Sequence, residues 1–63
     1  MPTFSQRMEE LRKKKGLSQK AVAEAVGITS RTYQRYEAGE REAAVSTLIR
    51  MADFYDVTVD YLV

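Results

Sequence analysis

Apolar residues along this chain recur at spacings of three and four, and glycines or apolar-hydroxyl pairs interrupt them at short intervals. Phe4, Met8 and Leu11 keep helical spacing, which predicts a first helix over residues 3–15 that stops at Gly16. Leu17-Ser18 with Val22, Ile28-Thr29 with Tyr33, and Val57-Thr58 with Leu62 then repeat one local device. Each sets an apolar residue before a hydroxyl cap and a second apolar residue at the fourth helical position, the staple that fixes the angle at which a chain enters a helix. Gly27 and Gly39 end the second and third helices. Residues 40–44 read as a loop. Val45, Leu48, Ile49, Ala52 and Tyr55 mark the apolar face of a fourth helix over 45–55, and a last helix of about one turn covers 59–63. No run alternates apolar and polar residues, so strands have no support. The pattern predicts an all-α, compact fold of five helices, and residues 1–63 form a single domain.

The stretch from Ser18 to Gly39 carries the most information. Val22, Val26, Ile28, Tyr33 and Tyr36 are its apolar positions, and Ala23 is small where the third helix must approach. The tyrosines sit on the back of the third helix, where core packing with the hydroxyls at the edge is expected. What remains of that helix is polar: Ser30, Arg31, Gln34 and Arg35, with Thr29 as its cap. Two short helices around a tight turn, the second fixed at its back and bearing arginines on its front, make a helix-turn-helix over about 18–39.

Charge sharpens this picture. The net charge of the 63 residues is only +1, but it is polarised. Residues 1–36 carry eight basic against three acidic side chains, a net of +5, and residues 37–63 carry two against six, a net of −4. The basic end coincides with the helix-turn-helix. Lys13 to Lys15 also suit the negative end of the first helix. Arg31 and Arg35 lie four apart on one helix face, where an arginine can grip guanine O6 and N7 with two parallel hydrogen bonds. Ser30 and Gln34 complete the candidate base-reading set. Gln19 and Lys20 open the second helix, whose free N–H groups favour a phosphate. Thr29 and Arg41 are the other candidate phosphate contacts.

Composition excludes several classes. With no cysteine and no histidine, disulfide staples and the usual structural zinc ligands are ruled out, and nothing calls for a metal or cofactor. No apolar run approaches a membrane span and the N-terminal residues lack a secretory core, so a cytoplasmic protein is expected. Glu9 and Glu10 are adjacent and cannot face each other on a helix, which leaves enzymatic chemistry without a constellation.

The segments RKKKGLSQKAVAEAVGITSRTYQRYEAG and STLIRMADFYDVTVDYL resemble the lambda repressor/Cro-like (XRE-type) helix-turn-helix family. G-L-S-Q opens the second helix, Ala23 and Gly27 are four apart, Y-E-x-G ends the third, and A-x-x-x-D-V-T-x-D-x-L closes the chain. The resemblance implies a five-helix domain that binds double-stranded DNA as a transcriptional regulator, commonly a repressor. It also implies that Gln19 buttresses the recognition helix while touching a phosphate, that Ser30, Arg31 and Arg35 reach base edges, and that Arg12 pairs with Glu37 to tie the first helix to the third. The chain departs from the family's pattern after the third helix: Ala43-Ala44 stands where a proline is common, and Glu40 and Glu42 flank Arg41.

A single domain of this size touches few base pairs. A homodimer on a near-palindromic operator is therefore expected, with Val59, Tyr61 and Val63 as its candidate contacts. The alternative is a protein-interaction module of the same fold, antitoxin-like or an adaptor, with weak or no DNA binding. The low net charge and the acidic loop favour that alternative, and Arg31 and Arg35 oppose it.

Overall fold

The computed structural model describes residues 3–63. Among them the chain forms α1 (Phe4–Lys15), α2 (Gln19–Val26), α3 (Ser30–Glu37), α4 (Val45–Tyr55) and α5 (Val59–Leu62). The first helix starts one residue later than its periodicity suggests. Thr3 is its cap, and it forms a reciprocal box with Gln6: the Thr3 side chain accepts from the Gln6 N–H, and the Gln6 side chain accepts from the Thr3 N–H. Ser18, Thr29 and Thr58 each accept a hydrogen bond from the backbone N–H three residues on, as the repeated local device requires. The last helix stops at Leu62, and Val63 lies beyond it.

The core is drawn from all five helices. Met8, Val22, Ala23, Val26, Tyr33, Tyr36, Met51, Ala52, Tyr55 and Leu62 are buried, and Phe4, Leu11, Leu17, Ile28, Phe54, Val57 and Val59 pack around them. α3 lies across both α1 and α2, while α4 packs on α2 and α5 closes against α4 and α1. Short helices meeting at angles give each one a small buried face, so the fixed entry angles at the caps matter more here than helix length. Gly27, at φ +78°, sends the chain from α2 into α3, and the guanidinium of Arg50 reaches the same corner to donate to the Val26 carbonyl at 3.4 Å.

Three expectations need correction. On α4, Val45 and Ile49 are exposed, at 70% and 49%, and do not belong to the buried face. The face that wins is Leu48, Met51, Ala52 and Tyr55, because α4 carries more apolar residues than one stripe can hold and this rotation brings Met51 and Tyr55 into the core. Tyr33 is not a core residue with its hydroxyl at the edge. It is fully buried, and its hydroxyl meets that of Tyr55 at 2.8 Å inside the molecule. Val59, expected among exposed apolar contacts, packs against the core.

The turn from α4 to α5 also differs in kind from the two glycine turns. Asp56 occupies the left-handed region at φ 57°, the position that Gly16 and Gly27 hold at the ends of α1 and α2. Aspartate tolerates this conformation better than most side chains.

Candidate nucleic-acid interface

The back of α3 is held by a polar cluster centred on Glu37. Arg12 on α1 donates from Nε to Glu37 Oε2 at 2.7 Å and from Nη2 to Oε1 at 3.1 Å, a bidentate pair. Its remaining nitrogen, Nη1, donates to the Leu17 carbonyl at 2.9 Å, in the corner between α1 and α2. Gln19, the first residue of α2, adds a bond from Nε2 to Glu37 Oε1 at 3.1 Å. The side chains of Arg12 and Glu37 are 15% and 4% exposed, so this pair is shielded from water. One guanidinium and one carboxylate thus join three helices.

The charges in this cluster are set by what surrounds them. Burial alone would raise the Glu37 pKa, but hydrogen bonds from Arg12, Tyr33 and Gln19 outweigh it and hold the carboxyl below its usual range. Arg12 is held above its ordinary value, chiefly by its hydrogen bond to Glu37. Burial pushes the Tyr33 phenol strongly up, helped by its bond to Tyr55 and by the Glu37 carboxylate. Tyr55 is raised as well, again first by burial. Both phenols therefore stay neutral, and Tyr55 links α4 to the same cluster through Tyr33.

The front of α3 is the reverse of its back. Arg31, Gln34, Arg35 and Ala38 form an exposed stripe at helical spacing, opposite Tyr33, Tyr36 and Glu37. Together with Glu40 they line one open cleft of about 380 Å³. Arg31 and Arg35 make no ion pair among the described residues. Several other cations are occupied inside the molecule: Arg12 with Glu37, Arg50 with the Val26 carbonyl, Lys13 with Glu9 at 2.9 Å, and Arg7 over the Tyr61 ring at 4.5 Å.

The remaining candidates divide. Ser30 begins α3 and is half-buried, and it is not among the residues that line the cleft. Lys20 is exposed on the first turn of α2, whereas the Gln19 amide is already committed to Glu37. The Thr29 hydroxyl accepts from the Thr32 N–H at 3.2 Å and lies 2.9 Å from the Thr32 hydroxyl, so its side chain serves the cap. Arg41 does not share the cleft with Arg31 and Arg35. It lines a separate groove with Phe4, Tyr36, Leu48 and Val63. Tyr61 and Val63 remain exposed apolar side chains, at 42% and 68%. Two roles were not read from sequence: Glu40, noted there only as an acidic neighbour of Arg41, lines the cleft, and Tyr55, placed there on the apolar face of the fourth helix, bonds Tyr33 behind α3.

A family model described as helix-turn-helix matches residues 8–62. The chain belongs to the helix-turn-helix family. It is 42% identical over 59 residues to the HTH-type transcriptional regulator YqaE of Bacillus subtilis, covering 94% of this chain and 51% of that protein. Among solved structures it superposes on the restriction-modification controller protein C.AhdI from Aeromonas hydrophila with a TM-score of 0.88 at 32% identity, over 95% of this chain and 91% of that one. The P22 c2 repressor, solved in complex with a synthetic operator, matches with a TM-score of 0.95 at 24% identity over 100% of this chain and 96% of its own, which establishes a shared fold. The chain spans about half the length of the curated relatives it matches. The expected lambda repressor-like, five-helix architecture is thus the observed one. Among the described residues, no helix is long and apolar enough to cross a membrane.

Proposed function

We propose that residues 1–63 are the DNA-binding domain of a cytoplasmic transcriptional regulator, acting as a repressor, with α3 inserted in the major groove of double-stranded DNA. The observation that carries this reading is the division of α3 into a locked back and a front whose arginines have no ion-pair partner among the described residues. Such a helix presents charge without paying to reorganise it. Arg31 and Arg35 hold guanine edges, Gln34 hydrogen-bonds a base on the same side, and Ser30 meets the base nearest the helix start. Lys20, the second amide hydrogen of Gln19 and the backbone amides around Thr29 set the register on phosphates, with Arg41 on a more distant one. The domain needs no cofactor and performs no chemistry, since occupancy of a promoter suffices to block it.

Two copies bind together. Recognition helices entering successive major grooves on one side of the duplex place half-site centres about 34 Å apart on a near-palindrome. Tyr61 and Val63, two of the four exposed large apolar residues among those described, serve as contacts for such pairing.

Titrating binding to random duplex DNA against salt tests the first part. A DNA-binding domain gives a steep linear fall of log K with log salt, and a flat line refutes the reading. Footprinting on a selected site tests the second. Two protected half-sites are expected, and one half-site filled by one protein with full specificity would refute pairing.

A further inference from the structure

The cleft in front of α3 contains one residue of the wrong sign for a phosphate contact. Glu40 follows the helix, and its backbone N–H donates to the Arg35 carbonyl at 3.0 Å. That bond holds residue 40 directly beyond the last turn, and Glu40 lines the same cleft as Arg31, Gln34 and Arg35. It is exposed and forms no ion pair among the described residues. A carboxylate here is repelled by phosphate oxygens and by the acceptor edges of guanine and thymine. The major groove offers it two amino groups, cytosine N4 and adenine N6, and adenine sets the N7 acceptor beside its amine. Within its own base the cytosine amine has no acceptor beside it, the nearest being O6 of the paired guanine, so it compensates the charge better than adenine does.

We propose that Glu40 is a specificity-determining residue that selects cytosine at the outer edge of the half-site, next to the base held by Arg35. The inference rests on the insertion of α3 in the major groove proposed above. Glu40 works as a difference between sites: it lowers affinity for every sequence that presents an acceptor or a phosphate there, and it loses that penalty only opposite a cytosine amine. This also accounts for an acidic loop on a DNA-binding face, which costs affinity and returns discrimination.

The experiment is selection of bound sites from a random duplex pool by the wild-type protein, Glu40→Ala and Glu40→Gln. Residue 40 lies in an exposed loop, so the melting temperature of each variant is expected to match wild type. Wild type should enrich cytosine about tenfold over other bases at one outer position of each half-site. Glu40→Ala should erase that preference while raising affinity for random DNA. Glu40→Gln should shift it to adenine, which an amide can bond at both N6 and N7. If both variants bind all sites more tightly by one common factor and keep the wild-type preferences, Glu40 only repels the backbone and the proposal is overturned. Unchanged affinity and unchanged preference overturn it equally. A wild-type protein that enriches no sequence at all refutes the major-groove reading itself, which separates that failure from this one.

Discussion

The two faces of α3 solve opposite problems. On its back, Tyr33 and Tyr36 are buried, the Tyr33 hydroxyl meets that of Tyr55, and Glu37 receives hydrogen bonds from two other helices. On its front, Arg31, Gln34 and Arg35 are exposed and have no partner in either ion pair. Eight residues cannot form a stable helix alone in water. The back therefore supplies the order that the front uses. A side chain that must find a base edge loses less freedom when its helix is already fixed. Position and recognition are thus carried by different residues of one short element, and the two can be separated experimentally.

The largest expected effect comes from removing one member of the Arg12–Glu37 pair. Because both are shielded, Glu37→Ala or Arg12→Ala should cost about 3–5 kcal/mol of stability by leaving its partner buried and uncompensated. Replacing both with apolar residues should cost far less. Urea unfolding of the two single variants and the double variant measures this. Single variants that unfold at the wild-type midpoint would show that the back of α3 does not depend on the pair.

The front should respond in the opposite way. Arg31→Ala and Arg35→Ala should leave the unfolding midpoint within about 0.5 kcal/mol of wild type, as exposed substitutions do. Each should cost about 1–3 kcal/mol on the best DNA site and change the preferred base there. Lys20→Ala should weaken all sequences alike and lower the salt slope by about one. An Arg35→Ala protein that melts early, or one that binds every sequence more weakly with its preferences intact, would erase the distinction between the faces.

pH probes the back without mutation. The Glu37 pKa is lower in the folded state than in the unfolded chain, so its contribution is fully present above about pH 4.3 and is lost as pH falls through the lower folded value. The stability gap between wild type and Glu37→Gln should narrow in acid. The buried phenols act with the other sign. Tyr33 and Tyr55 have raised folded pKa values, so the unfolded chain releases protons first and stability should decline above about pH 10. Equilibrium unfolding at acid, neutral and alkaline pH checks both directions. A Tyr33→Phe, Tyr55→Phe double variant should lose the alkaline decline.

How much of this was legible in the sequence depends on whether a signal was local. Caps and staples act within five residues, and Ser18, Thr29 and Thr58 each cap the helix that follows them. The exposed stripe of α3 is likewise a matter of spacing along one helix. The rotation of α4 was not legible, because Val45 and Ile49 compete with Met51 for a place beside Ala52 and Tyr55, and only the partner helices decide between them. The Tyr33–Tyr55 bond spans 22 residues and leaves no pattern along the chain. Thr29 and Gln19 illustrate a third case. Their residue types suit a phosphate, yet their side chains are already engaged by Thr32 and Glu37. Resemblance supplied the Arg12–Glu37 pairing, which spacing alone could not, since the two residues lie 25 apart.

The smallest expected effect lies far from α3. Asp56 holds a left-handed conformation that costs an L-residue about 1–2 kcal/mol, while glycine's greater freedom in the unfolded chain returns roughly 0.5–1 kcal/mol. Because aspartate bears less of that cost than most residues, Asp56→Gly should stabilise the domain by no more than about 0.5 kcal/mol. It should leave DNA preference untouched. Thermal melting with a parallel binding titration measures both.

The separation of position from recognition is tested most directly by comparing the sites that wild type and Arg35→Ala select from one random duplex pool. Wild type is expected to enrich a near-palindrome with half-sites about one helical turn apart. Arg35→Ala should enrich the same palindrome with the preference lost at one symmetric pair of positions. Selection of identical sites by both proteins, at uniformly lower yield for the variant, would contradict the assignment of base reading to the front of α3.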